Sequence, residues 1–145
     1  MGKPLRVITH LSQADVEAWY KAEGREVLLG DVVDSTNGQS MSVGFARYSP
    51  GASNDWVVTY DEALIVTKGR FSVTSSAGEK VTAAIGEVIF LRKDAQVTYS
   101  AESDGAELVY VTYPHWMRAQ EASPHARLLD GFQPADDLRQ AQSSG

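Results

Sequence analysis

The chain has 145 residues, 43% of them hydrophobic, and a formal net charge of −6. This length and apolar content predict one domain that buries a core without disulfides or a structural metal. The acidic balance, with no Lys/Arg cluster, excludes the electrostatic surface on which nucleic-acid binding depends. The chain has no cysteine, which excludes disulfides, thiolate nucleophiles and sulfur-ligated metals.

The sequence is not expected to include a targeting segment. The N-terminal segment MGKPLRVITH lacks the apolar stretch of a secretion signal. Nowhere does the chain approach the roughly 18 consecutive apolar residues of a membrane helix. We therefore predict a cytoplasmic protein that has neither a membrane nor a nucleic acid as a partner.

The N-terminal part predicts a short strand followed by a helix. Residues 3–9 are β-prone, and the helix is predicted over residues 12–22. Ser12 and the acidic residue three positions later match the capping pair at the start of a helix. Trp19 and Tyr20 fall on one helical face and are expected to pack into the core.

The middle of the chain, residues 26–116, predicts an antiparallel β structure. Seven or eight short β-prone runs are separated by turn residues, with no helix between them. Turns are expected at the Asn-Gly pair within residues 36–39, at Gly69, and at residues 103–105. This pattern is typical of an antiparallel sandwich or jelly-roll barrel.

Two short helices are expected after the last strand. A helical turn is predicted over residues 115–122, and a helix with proline at its first position is predicted over residues 134–142. The chain is thus predicted to be a single domain over residues 1–145. It consists of a core at about 26–116, an N-terminal strand and helix at 3–23, and a C-terminal extension at 114–145.

Several separate motifs carry a resemblance to a known family. The stretch WVVTYDEALIVTKGRFSV at 56–73 and the glycine that opens GEVIFLRK at 86–93 fit the spacing of the cupin motifs. Together with GDVVDSTNG at 30–38 and YVTYPHW at 110–116, they make residues 30–116 similar to the cupin domain of the ethanolamine-utilisation EutQ family. The resemblance implies an all-β fold, an antiparallel jelly-roll (cupin) barrel with short N- and C-terminal helices.

The same resemblance implies a biological setting and a partner. It implies a link to ethanolamine or related amine catabolism, association with bacterial microcompartments, and an acetate kinase activity that forms ATP from acetyl phosphate. Most cupins also pair through their sheet edges, and exposed edge strands need cover. We therefore expect a homodimer with a small-molecule ligand in the barrel.

The sequence departs from the cupin pattern at the metal ligands. Counting back from Glu62, the pair of metal-binding histidines would begin at Asp55 or Trp56, and the later histidine would fall at Val97. None of these positions is a histidine. Because neutral imidazole normally supplies most of the affinity for a transition metal, we predict no metal and no cofactor. A weak substitute site built from Asp55, Glu62 and an outside histidine is the alternative.

Glu62 is the first candidate for chemistry. On a strand, residues two apart share a face, so Glu62 is expected to point into the barrel with Leu64 and Val66. A carboxyl in a mostly apolar cavity should have a raised pKa and can act as a general acid or base. The alternative is that Glu62 hydrogen-bonds to a neighbouring tyrosine and only holds the barrel together.

The other candidates share a face with Glu62 or lie at one end of the barrel. Tyr60 and Tyr99 have the inward parity, and His115 follows the last strand as a group able to titrate near neutral pH. For each of the three, a purely structural role is the alternative. Trp56 is expected to close the mouth of the barrel, and a role in the core or in a dimer contact is the equal alternative. Further ligand-binding candidates are Asp55, Leu64, Val97 and Tyr113.

Three functions stay open at this point. The first is an ethanolamine-linked cupin with acetate kinase activity. The second is a metal-independent isomerase, lyase or cyclase that moves protons with Glu62 and the pocket tyrosines. The third is a non-catalytic binding or scaffold module. Cavity volume discriminates among them, because a typical ligand site offers roughly 300 Å³ or more.

Overall fold

The computed structural model describes residues 17–21, 27–33 and 40–134. Within them the chain forms nine strands, one short α-helix and one 3₁₀ helix. The strands are β1 (Glu17–Lys21), β2 (Val27–Val33), β3 (Ser42–Tyr48), β4 (Ser53–Val57), β5 (Asp61–Ser75), β6 (Lys80–Ala83), β7 (Val88–Leu91), β8 (Gln96–Tyr113) and β9 (Phe132–Pro134). The helix α1 covers Trp116–Glu121, and the 3₁₀ helix covers Ala126–Gly131.

The strands form an antiparallel jelly-roll barrel, as the sequence predicted. The order is β6-β5-β8-β3-β2-β1-β9, with β4 paired to β8 and β7 paired to β5. The two longest strands, β5 and β8, organise this sheet because each pairs with different neighbours along its two halves. The second half of β8 pairs with β3 and the first half of β5, whereas its first half pairs with β4 and the second half of β5.

Strict alternation of side chains builds the core. In β3 every second residue is buried, and the same period runs through the first half of β5 and the second half of β8. The inward residues form one continuous cluster that includes Val66, Phe71 and Leu108. The helix α1 adds Trp116 and Gln120 to the buried residues. None of the helices in the described ranges is long and apolar enough to cross a bilayer.

Two predicted turns prove to be bends within continuous strands. Gly69 and Gly105 have φ values of 70° and 76°, the left-handed region that favours glycine. They lie beside each other, and a Cβ on Gly69 would overlap the carbonyl oxygen of Gly105. The β5–β8 register also shifts on both sides of Lys68. The prediction of hairpin turns at these glycines was wrong because a bulge that bends a long strand uses the same residue type.

The prediction of an N-terminal helix is also wrong over residues 17–21, the part of it that the structure describes. Residues 17–21 form β1, in which Trp19 pairs with Leu29 of β2 and with Pro134 of β9. Pairing on both sides outweighs the local helical spacing of the apolar residues. The C-terminal helical turn predicted at 115–122 is confirmed as α1. The rest of the predicted N-terminal elements, the Asn-Gly turn, and the 134–142 helix beyond Pro134 lie outside the described residues.

Candidate functional site

A small cavity lies inside the barrel. Its volume is about 50 Å³. At roughly 10–15 Å³ for each water, it has room for about four water molecules, or a ligand of about four non-hydrogen atoms. This volume is smaller than the roughly 300 Å³ of a typical ligand site. The wall contains one carboxylate, one amide side chain and eight aromatic residues, namely Tyr48, Trp56, Tyr60, Phe71, Tyr99, Tyr110, Trp116 and Phe132.

Glu62 is the carboxylate in this wall. It lies on β5 opposite Leu91 of β7 and Thr112 of β8, and it is only 6% exposed. The Tyr99 hydroxyl donates a 2.6 Å hydrogen bond to Glu62 Oε1. Burial raises the pKa of Glu62 from 4.5 to about 7, against the opposing effect of the Tyr99 hydrogen bond. Near neutral pH this carboxyl is therefore present in both protonation states.

The tyrosines around Glu62 remain neutral phenols. Burial, followed by the charge of Glu62, raises the pKa of Tyr48, Tyr60 and Tyr99 above the ordinary value of 10.0. The Trp56 indole donates a 2.8 Å hydrogen bond to the Tyr60 hydroxyl. These phenols therefore serve as hydrogen-bonding groups, and among the pKa shifts described in the cavity wall only that of Glu62 brings a group close to neutral pH.

Asp31 of β2 lies outside the cavity wall and accepts hydrogen bonds from two residues of that wall. It is 2% exposed, and its Oδ1 accepts hydrogen bonds from the Tyr110 hydroxyl and from the Trp116 indole, the latter at 2.9 Å. His115 Nε2 lies 3.6 Å from Asp31 Oδ2. Burial and the charge of Asp31 raise the pKa of Tyr110 well above its ordinary value. Asp31 was not among the predicted site residues, although the motif GDVVDSTNG contains it.

The structure brings together five of the predicted residues. The cavity wall contains Glu62, Tyr60, Tyr99, Trp56 and Leu64. The strand period thus predicts the wall residues in the first half of β5, but not Phe71, which lies on the same strand beyond the register shifts around Lys68 and Gly69. The wall residues that sequence reasoning missed, such as Tyr48 and Tyr110, also follow strand alternation on β3 and β8.

Four predicted residues lie elsewhere. Asp55 and Tyr113 are exposed because their neighbours Trp56 and Thr112 occupy the inward positions. The Asp55 carboxylate accepts a hydrogen bond from Thr98 Oγ1 at 2.6 Å. Their assignment to the barrel cavity is therefore corrected. The two remaining residues are buried outside the cavity wall, namely His115 beside Asp31 and Val97 beside a separate groove of about 270 Å³.

The residues of the cavity do not fit the metal that the cupin fold implies. The wall contains no histidine, and one oxygen of Glu62 already accepts the Tyr99 hydroxyl. Within residues 17–21, 27–33 and 40–134, no group of three or more His, Cys, Asp or Glu is arranged to hold a metal ion. A single carboxylate among aromatic side chains lacks the imidazole donors that a transition-metal site needs. We derive no chemical step through a metal here.

Comparison with known proteins identifies similar sequences and folds. The family model described as "Ethanolamine utilisation protein EutQ" matches residues 6–118. The curated protein "Acetate kinase EutQ" of Clostridioides difficile (strain 630) is 40% identical over 60 residues, which are 41% of this chain. That match spans 37% of the curated relative, so it leaves most of the relative's length uncovered.

Two solved structures illustrate the relationship. The crystal structure of a putative ethanolamine utilization protein from Salmonella typhimurium LT2 is 31% identical, with a TM-score of 0.59. The matching region covers 65% of this chain and 74% of the Salmonella chain. The cupin domain of an XRE-family transcriptional regulator from Enterobacter cloacae is 15% identical, with a TM-score of 0.53, and covers 61% of this chain and 96% of that chain. This second likeness shows the cupin fold alone.

Proposed function

Because the chain belongs to the family of ethanolamine utilisation protein EutQ, matched over residues 6–118, we propose that it is an ethanolamine-linked cupin that binds one very small molecule in its barrel. The observation that carries this proposal is the position of Glu62. A buried carboxyl that titrates near neutral pH, inside an otherwise aromatic cavity, is costly to the fold and is typical of functional sites.

The chemistry available to the site is metal-independent proton exchange. Glu62 Oε1 is oriented by the hydrogen bond from Tyr99, and we assign Oε2 to the ligand. In its ionised form Glu62 can take a proton from a bound molecule, and in its protonated form it can return one. The cavity of about 50 Å³ limits that molecule to about four non-hydrogen atoms.

Binding of three probes of equal size tests this proposal. Ethylammonium, ethanol and formate each have three non-hydrogen atoms and differ in charge. We expect at least one of them to shift the NMR signals of the wall residue Trp56. Ala46→Val, which adds two carbons to the wall, should weaken that binding at least tenfold because it fills the cavity. If no probe shifts these signals, the cavity is filled by its own side chains and the scaffold alternative is correct.

An acetate kinase activity is the second candidate, and the name of the curated relative favours it. Phosphoryl transfer requires basic residues and magnesium-binding carboxylates around the phosphates. The cavity wall has no lysine or arginine, so the barrel interior does not meet this requirement. Purified protein should be supplied with acetyl phosphate, ADP and Mg²⁺. Absence of ATP removes this candidate, whereas ATP formation that Ala46→Val abolishes would make the cavity the kinase site.

We also propose that the chain works as a homodimer, through an outer face of the barrel. Two rows of apolar side chains cross four neighbouring strands in register. The first row is Phe90, Ala63, Val111 and Val43, and the second is Val88, Ile65, Val109 and Phe45. Phe90 and Val88 are 62% and 58% exposed. Exposed apolar side chains in such an arrangement mark an interaction surface.

A second copy of the chain suits this face. One border carries Lys68, Glu107 and Arg47, and the other carries Asp61. A two-fold axis perpendicular to the strands would bring the basic side chains of one copy near Asp61 of the other. Together with the exposed Tyr113, the two rows have an exposed surface area on the order of 500 Å², compared with roughly 800 Å² that each partner contributes to a standard interface.

Sedimentation measurements test the homodimer. Wild-type protein is expected to sediment as a dimer, and Phe90→Lys as a monomer, because the substitution places a charge at the most exposed apolar position of the two rows. Val81→Lys on β6 is the matched control, since Val81 is also exposed but lies outside the two rows. A monomeric wild type, or a Phe90→Lys variant that remains dimeric, would overturn the assignment.

A further inference from the structure

Four hydrogen-bond donors of the cavity wall are committed to acceptors within the protein. The Tyr99 hydroxyl donates to Glu62, and the Tyr110 hydroxyl and the Trp116 indole donate to Asp31. The Trp56 indole donates to the Tyr60 hydroxyl. The wall therefore offers a ligand aromatic faces and oxygen lone pairs, together with the hydroxyls of Tyr48 and Tyr60 and the Asn54 amide.

The formal charges near the cavity are negative. Glu62 is the only formally charged side chain in the wall, and the wall contains no lysine, arginine or histidine. Asp31 lies directly behind Tyr110 and Trp116, with His115 on its far oxygen. A small anion in this cavity would contact the Glu62 carboxyl, with the Asp31 carboxyl behind the wall, and would find no compensating cation among the wall residues. A cation would meet favourable charges and aromatic rings, whose faces attract positive charge.

We propose that the ligand of this cavity is a small organic ammonium cation of about two to four non-hydrogen atoms. This inference rests on the proposed function, because it names the chemical class that the Glu62 site takes. The ammonium group is placed against Glu62 Oε2, where it donates hydrogen bonds, and its alkyl part packs on the aromatic wall. The aromatic side chains exclude water, which strengthens the attraction between the ammonium and the carboxylate.

The protonation of Glu62 adds a second signature to this binding mode. A cation binds the ionised carboxylate, so uptake of the ligand must displace the proton that burial favours. Affinity is therefore expected to rise up to tenfold per pH unit below about pH 7 and to level off above it. The other titratable groups that face Glu62 are Tyr48, Tyr60, Tyr99 and Tyr110, whose raised pKa values keep them neutral throughout this range.

The three size-matched probes separate this inference from the proposed function. We expect ethylammonium to bind at least tenfold more tightly than ethanol at pH 8, and formate not to bind. Glu62→Gln should weaken ethylammonium about 10- to 100-fold, since it removes a charge-assisted hydrogen bond, and should leave ethanol within threefold. If ethanol or formate binds as tightly as ethylammonium, the ammonium inference is wrong and the small-ligand cavity stands. If none of the three binds, both fail.

A calorimetric measurement on wild-type protein covers the case in which Glu62→Gln does not fold. At pH 6, ethylammonium binding should release close to one proton, detected as a heat that depends on the ionisation enthalpy of the buffer. Ethanol binding should release none. Ethylammonium binding without proton release would show that Glu62 does not receive the cation, and the inference would be overturned.

Discussion

Replacing Asp31 by alanine is expected to lower the free energy of unfolding by about 2–6 kcal/mol, because it leaves two buried hydrogen-bond donors without an acceptor at about 1–3 kcal/mol each. The substitution leaves the Tyr110 hydroxyl and the Trp116 indole buried without their acceptor. It also removes the carboxylate beside His115. Urea unfolding followed by far-UV circular dichroism measures the change, provided that the slope with denaturant is the same in both proteins.

The matched control for this prediction is Asp55→Ala. Asp55 is also an aspartate that accepts a side-chain hydrogen bond, but it is exposed. Its replacement should therefore change the free energy of unfolding by no more than about 1 kcal/mol. Asp31→Asn keeps an acceptor oxygen and should fall between the two. If Asp31→Ala costs no more than Asp55→Ala, the buried cluster does not hold the cavity wall in the way described.

The ionisation of Glu62 is expected to make the fold less stable as pH rises. Its pKa is about 7 in the folded protein and 4.5 as the ordinary value, so between these limits the folded chain binds a proton that the unfolded chain has lost. The contribution to stability is complete below pH 4.5 and is lost as pH rises through 7. The shift corresponds to about 3 kcal/mol. Urea unfolding of wild type and Glu62→Gln at pH 4.5, 6 and 8 measures it as the difference between the two proteins.

Glu102 provides a control of opposite sign. Hydrogen bonding from Ser72 and the charge of Lys80 lower the pKa of Glu102 below its ordinary value of 4.5. Its contribution to stability is therefore present above pH 4.5 and is lost as pH falls through the lowered pKa. The difference in free energy of unfolding between wild type and Glu102→Gln should therefore be the same at pH 6 and at pH 8, although both proteins lose the Glu62 contribution over this range. A wild-type advantage over Glu62→Gln that is the same at pH 4.5 and pH 8 would contradict the raised pKa of Glu62.

Strand alternation predicted the part of the site that lies on the first half of β5. Glu62 and Leu64 face inward because the period of a strand fixes which residues share a face once one of them is known to be buried. The same period explains the error at Asp55, which was aligned with a histidine position of other cupins. Its neighbours Asn54 and Trp56 take the inward positions of β4, so Asp55 faces outward.

Contacts between distant strands could not be predicted in the same way. The Asp31 cluster joins residues that lie 79 and 85 positions apart in the chain. No local pattern predicts such a pairing, because it depends on the order of β2, β3 and β8 in the sheet. The only local indication of this cluster was one aspartate within a β-prone run. An aspartate exposed in a turn would give the same sequence pattern.

The glycines and the N-terminal segment show a second limit of local reasoning. Gly69 and Gly105 were expected to be turns, yet they allow β5 and β8 to bend while remaining paired. Glu17–Lys21 was expected to be helical, yet it pairs with strands on both sides. In each case the deciding interaction comes from a partner strand that local propensity does not include.

A carbon-13 NMR titration of the Glu62 side-chain carboxyl tests the central claim most directly. The protein would be labelled at the glutamate carboxyl carbons, and the Glu62 signal assigned by its loss in Glu62→Gln. The account predicts a midpoint near pH 7, which ethylammonium should lower because a bound cation favours the ionised form. A midpoint near 4.5 that ethylammonium does not change would contradict the description of Glu62 as the buried, proton-exchanging group of a ligand cavity.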